Sequence, residues 1–183
     1  MIRHNEQQLR GFTLIELLIT LAIASILLAT AVPAFADILS HNHQSAQLNI
    51  LFHHHQLARS EAIKHKSRVL LCKSNNGQQC TPSAKWSDGW LIFSDQDGNN
   101  KRNAYEEVFY VQQALSKSLS LQYKGFGSSN YVRYYSDGHS STNGTFTLCS
   151  RNGTQFVQRV IISRTGRARM ATGKTSNKTS ACS

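Results

Sequence analysis

Phe12 to Ala36 reads FTLIELLITLAIASILLATAVPAFA, an almost wholly apolar run broken by a single charge, Glu16. About 20 consecutive apolar residues carry a helix across the hydrocarbon core of a bilayer, so this stretch predicts a membrane-crossing helix near the start of the chain. A secretory signal would have a shorter apolar region ending in a small-residue cleavage site. A carboxylate in hydrocarbon costs about 2.5–3.5 kcal/mol on insertion scales, so Glu16 needs a partner. Pro33 lacks an amide donor and crowds the preceding turn, which predicts a local kink.

Beyond the apolar run, ILSHNHQSAQLNILFHHHQLARSEAIKHKSRV keeps Leu48, Leu51, Phe52 and Ile63 among helix-forming residues. This pattern predicts an amphipathic continuation to about Lys66 whose apolar face docks on a sheet. The histidines here invite a metal hypothesis. Consecutive helical residues point about 100° apart, so His53, His54 and His55 cannot converge on one ion, and His41 and His43 have the same problem. They are expected to be polar helix surface that titrates near neutrality.

The stretch before the apolar run, MIRHNEQQLRG, ends in Gly11 directly before Phe12. Gly11, Phe12 and Glu16 together resemble the processing motif of type IV prepilins and pseudopilins. The resemblance implies that a prepilin peptidase cuts the leader after Gly11 on the cytoplasmic side and that the new N-terminal Phe12 is methylated. It further implies that Glu16 meets the N-terminal amine of a neighbouring pilin during assembly. The protein is then expected as a single-pass inner-membrane protein with its head in the periplasm, later part of a filament at the cell surface.

After the helix the pattern shifts to short β-forming runs, SRVLLC, GWLIFSD, EEVFYVQQ, SLSLQY, YVRYYSDG, GTFTLCS and FVQRVIIS, separated by Asn, Gly, Ser and Asp. An α+β class follows, with a long helix packed on an antiparallel β-sheet head. The expected organisation is a leader at 1–11, a transmembrane helix at 12–36, its amphipathic continuation at 37–66, and a β-rich head with a basic C-terminal tail at 67–183. Four cysteines behind a membrane-targeting segment, with no CxxC spacing, suit disulfides in an oxidising compartment. The preferred pairs are Cys72 with Cys80 and Cys149 with Cys182, the second clipping back a tail that is otherwise loose and contributing about 3–4 kcal/mol in the chain-entropy model.

WSDGWLIFSDQDGNN, Trp86 to Asn100, resembles a block of the pseudopilin H and FimT family, in which Gly-Trp, an apolar strand and an Asp/Gly/Asn turn recur. Trp90, Leu91, Ile92 and Phe93 are expected as a core strand. In the same block Asp95, Asp97 and Asn99, with Glu106 eleven residues after Asp95, follow part of the ligand order of an EF-hand calcium loop. The order breaks at the sixth position, where Asn100 stands instead of glycine, and Lys101 and Arg102 bring positive charge. A tight hairpin turn is therefore expected, with no metal and no cofactor.

The net charge of +10 favours a polyanionic partner. Its distribution is sharper than its total: after Asp137, the last acidic residue, come Arg151, Arg159, Arg164, Arg167, Arg169, Lys174 and Lys178. In an extended RTGRARM segment Arg167 and Arg169 share one side at a spacing of roughly 6.5–7 Å, which suits successive backbone phosphates. Gly166 permits a tight turn beside them. Gly166, Arg167, Ala168 and Arg169 resemble the GRxR signature of FimT-type minor pilins, which implies sequence-independent binding of double-stranded DNA during natural transformation. Arg159, Arg164, Lys174 and Lys178 extend the same patch. The alternative is a structural minor pilin or secretion pseudopilin that primes a filament without binding DNA. Enzyme chemistry is not expected. No nucleophile, base and oxyanion set is recognisable, and ATGKTS lacks the first glycine of a phosphate loop, since Ala168 occupies its place.

Overall fold

Helix α1, Leu14–Lys64, is continuous and passes through Pro33 without a break in its helical pattern. It begins with a capping box. Thr13 Oγ1 accepts the Glu16 amide at 3.3 Å, and Glu16 Oε2 accepts the Thr13 amide at 3.0 Å and its hydroxyl at 2.9 Å. The T-L-I-E order thereby satisfies amide donors that every helix start leaves open. Glu16 thus has a local role beside any role in assembly. The structure, a computed structural model, describes residues 12–150 and 156–174. The chain divides after Ser40 into two compact units, and α1 contributes to both.

In the second unit, the buried positions of α1 are Gln44, Leu48, Leu51, His55, Ala58 and Ala62, spaced alternately four and three apart along one helix face, with His54 beside them. The face is as expected, but its membership is not. Ile63 is 44% exposed, while Ala58 and Ala62 are fully buried; their small side chains let the helix lie close to its neighbours.

Among the described residues, eight strands form the expected antiparallel head as two sheets. β1 (Val69–Lys73), β2 (Trp90–Ser94), β3 (Val108–Gln112) and β5 (Tyr131–Tyr134) order as β3-β2-β1-β5. β4 (Leu119–Gly125), β6 (Gly144–Ser150), β7 (Phe156–Ile162) and β8 (Ala168–Lys174) order as β4-β6-β7-β8. A short 3-10 turn at Trp86–Asp88 precedes β2. β8 is a correction. Residues 171–174, expected as the start of a loose tail, pair in register with β7.

One core joins both sheets to the helix. Val69, Leu71, Trp90, Ile92, Val132 and Tyr134 enter it from the first sheet, and Leu121, Phe146, Val160 and Ile162 from the second. The first sheet also buries its other face, through Leu70, Cys72, Leu91 and Phe93. Trp90 to Phe93 are thus core on both sides of the strand, as their unbroken apolar run implies.

His54 and His55 overturn the expectation of a polar, titrating helix surface, being 7% and 0% exposed. His54 Nδ1 accepts the Trp90 indole N–H at 3.1 Å, and His55 Nδ1 lies 3.0 Å from the Tyr134 hydroxyl. Burial, with a smaller contribution from the neighbouring histidine, pushes His54 down to about 4 and His55 down to about 3. Both are neutral at neutral pH. The alternating pattern did not reveal this, because a histidine fills a core position well when an aromatic N–H or O–H can reach its ring nitrogen.

Candidate functional site

Cationic side chains gather on the outer face of the β4-β6-β7-β8 sheet, and pairing register fixes which of them share it. Along β4 the residues Leu119, Leu121 and Tyr123 are buried while Ser120, Gln122 and Lys124 are not, so the odd positions face the core and the even ones face out. Cross-strand partners lie on the same face. Gln122 pairs with Thr147, Thr147 with Arg159 and Arg159 with Ala171; the next row is Lys124, Thr145, Ile161 and Arg169. Arg159 and Arg169 are therefore diagonal neighbours about 7–8 Å apart. Lys124 stands three strand spacings from Arg169, about 14 Å.

Arg167 joins the same face. It lies two residues before Arg169, at the mouth of the β7-β8 turn, where the Ser163 amide donates to its carbonyl at 3.0 Å. Arg167 and Arg169 are both exposed. The turn is held rigidly. Gly166 has φ +73°, and a Cβ there would sit 1.9 Å from the Gly138 carbonyl oxygen, so only glycine fits. Gly138 is held in turn by Arg59 of α1, whose Nε donates to the same carbonyl at 3.0 Å, while the Ser140 amide donates to Arg164 O at 3.0 Å.

The face carries no carboxylate: β4, β6, β7 and β8 contain no Asp or Glu. Lys124 was missed by the sequence reading because it precedes Asp137 and lies far from the C-terminal cluster. Only the register LSLQYKG against GTFTLCS brings it into line. Arg164 is exposed in the turn itself, and Lys174 ends β8. Arg151 and Lys178 lie outside the described residues, as does Gly11. Phe12 is 90% exposed at the start of the described chain.

Cys72 and Cys80 are joined, with a Cα–Cα distance of 5.6 Å, and the loop they close is ordered by Ser74 and Asn76. Cys149 is also disulfide-bonded. Its expected partner Cys182 lies outside the described residues.

The family model for the type II transport protein GspH matches residues 47–166, and that of the prokaryotic N-terminal methylation motif matches residues 9–32. Among solved structures, the type IV minor pilin FimU of Pseudomonas aeruginosa superposes with a TM-score of 0.54 at 18% identity, covering 80% of this chain and 99% of that one. The minor pseudopilin EpsH from the Type 2 Secretion System of Vibrio cholerae superposes with a TM-score of 0.52 at 12% identity, covering 70% of this chain and 96% of that one. No curated protein matches the chain. At these identities the two structures establish the fold, a long N-terminal helix with antiparallel sheets of the type IV pilin kind.

Proposed function

We propose that this chain, which belongs to the GspH family of type II transport proteins, captures DNA on the outer face of its β4-β6-β7-β8 sheet while its N-terminal helix packs in a pilin filament. A minor pilin or pseudopilin role follows from the family and the methylation motif, and the apolar helix fits a membrane-anchored pilin. DNA capture is the finer reading. The observation that supports it is a face without a carboxylate on which Lys124, Arg159, Arg167 and Arg169 are set by strand register.

Such a face suits phosphate contacts. Arginine forks hold phosphate oxygens in pairs, and strands space them at intervals a backbone can follow. Within the four strands the outward positions beside these cations hold Gln122, Thr145 and Thr147 and no aromatic ring, exposed Phe126 lying just past the end of β4, so phosphate contacts outweigh base stacking and binding is largely indifferent to base sequence. In the same reading, the prepilin peptidase cuts after Gly11, Phe12 is methylated, and Glu16 meets the amine of the next subunit as the chain leaves the inner membrane for the filament. The leader, membrane helix, continuation and head keep the boundaries 1–11, 12–36, 37–66 and 67–183.

The test is a titration of the full-length protein in non-ionic detergent with random-sequence duplex DNA at several salt concentrations. Four neutralised phosphates give a log–log salt slope of about −3.6. An Arg167→Gln, Arg169→Gln variant should keep its fold and lower the slope to about −1.8. Undetectable binding by both proteins at low salt refutes DNA capture and leaves the filament-building role alone.

A further inference from the structure

We infer that the loop between β2 and β3, residues 95–107, binds a calcium ion through Asp95, Asp97 and Glu106. One carboxylate oxygen from each of these residues lies within 4.8 Å of the others. A cluster of acids is not by itself a site. Here a second observation points to a ligand: Asp95 is 0% exposed, and its Oδ2 is buried with no hydrogen-bond partner. A buried carboxylate oxygen without a donor is strongly disfavoured, and a cation supplies what the protein leaves out.

The sequence reading stopped at the sixth position of the loop, where Asn100 replaces the glycine of an EF-hand. What that position requires is a backbone conformation for the sharp turn. Asn100 adopts it, with φ +62°, and asparagine is the residue that tolerates the left-handed region best after glycine. Its amide donates to Asp95 Oδ1 at 3.2 Å, so the chain wraps around the first carboxylate. The expected tight hairpin is therefore replaced by a loop wound round its acids. Glu106 closes it, 2% exposed, its two oxygens accepting the Gln96 amide at 2.9 Å and the Asn103 amide at 2.8 Å. Asn99 and Asn103 both donate side-chain N–H groups to Asp97 Oδ2, at 2.8 and 2.7 Å. A half-turn of the Asn103 amide would turn its carbonyl oxygen toward the acids, whereas Asn99 Oδ1 already accepts the Lys101 amide at 2.6 Å.

Three arginines lie against or within the loop, and none is ion-paired with its acids. Arg133 donates to Asn100 Oδ1, Arg102 donates to Gln78 O at 3.2 Å, and Arg68 packs against Gly98. Among the described residues, the ion pairs join Lys64 and His65 to Glu61 and His139 to Asp137, so none reaches these three acids. The donor set is all oxygen and irregular. It suits calcium, whereas magnesium demands a near-octahedral shell and keeps its waters, and softer metals prefer nitrogen or sulfur. The surrounding positive charge places the affinity in the weak range of extracellular modules, a dissociation constant of about 10⁻⁴–10⁻³ M.

Tyr105 supplies the readout. Its hydroxyl is 3.1 Å from Asp97 Oδ2, close enough to sensitise terbium luminescence at the site. Full-length protein in detergent, stripped with a chelator, should show saturable terbium luminescence that calcium chloride displaces, and a calcium-dependent rise in thermal midpoint. Asp97→Asn alters an exposed side chain, so the protein should fold as before, with its Cys72–Cys80 bond intact. Its calcium affinity should fall at least about tenfold, the scale seen even for partners one shell out from a metal. Three results overturn the inference: no calcium effect up to about 10 mM, tenfold beyond the weak range; an equal effect of magnesium chloride; or an effect unchanged in Asp97→Asn. None of these readouts depends on DNA, so the site and the DNA-binding face stand or fall separately.

Discussion

The two sheets share one core yet treat their other faces in opposite ways. In the β3-β2-β1-β5 sheet both faces are covered: β2 is buried at every position, and Cys80, Val111 and Tyr131 pack over Leu70, Cys72, Leu91 and Phe93. In the β4-β6-β7-β8 sheet, β4 alternates buried and unburied residues, and Lys124, Arg159, Arg169 and their threonine neighbours remain outside the core. The acids divide in the same way: Asp95, Asp97, Glu106 and Glu107 follow β2, while the second sheet has none. A net charge of +10 thus conceals a polarised molecule. The covered sheet is scaffold, and the open one carries the face on which DNA capture is proposed.

The comparison breaks first if the sheets are not one cooperative unit. Phe146 of β6 is fully buried, stacks on Tyr123 at 4.3 Å between ring centres, and meets Trp86 at 4.8 Å and His55 at 5.0 Å. Phe146→Ala should cost about 3–5 kcal/mol. Because the core is shared, urea unfolding followed by Trp fluorescence, from Trp90 in the covered sheet and Trp86 against Tyr123 and Phe146 of the open one, should give a single transition that coincides with circular dichroism. Two separated transitions would mean that the sheets melt independently.

A second test uses acid. His54 packs against Trp90 and Tyr110 of the covered sheet, and His55 lies between Tyr134 of that sheet and Phe146 of the open one. Both have folded-state pKa values, about 4 and about 3, below the ordinary value of 6.5. Between these limits the unfolded chain binds protons that the folded one refuses, so stability is full above about 6.5 and declines as pH falls. Each histidine withdraws at most about 1.4 kcal/mol per pH unit in that window. Thermal midpoints measured from pH 7 to pH 4.5 should fall for the native protein and fall less for His55→Gln. An equal decline in both would place the acid sensitivity elsewhere.

Much of this architecture was legible from the sequence, and the parts that were not share a cause. The membrane-length helix, the strand from Trp90 to Phe93 and the Cys72–Cys80 bond each depend on local composition or short spacing, which a single chain displays directly. The division into two sheets, the burial of His54 and His55, and the place of Lys124 depend on which distant segment lies alongside. Asn100 belongs to the same class. Its residue type argued against a wrapped loop, whereas its backbone conformation, set by Asp95 and Arg133, is that of one. Residues 171–174 read as tail because Ala, Gly and Lys are poor strand signals alone, and β7 beside them decides otherwise.

The smallest expected effect separates a face from a total. Lys124 is exposed and lies in register with Arg169, while Lys101 is equally exposed but sits in the loop beyond the covered sheet. Replacing either by Gln removes one charge, and neither change should move the thermal midpoint. If DNA follows the open face, Lys124→Gln lowers the salt slope by about 0.9, one phosphate contact, and Lys101→Gln leaves it alone. If binding answers only to net charge, the two variants weaken it equally, and the basic face loses its claim to be a site. The comparison is sensitive because it holds charge, side-chain type and exposure constant and varies only the sheet to which the lysine belongs.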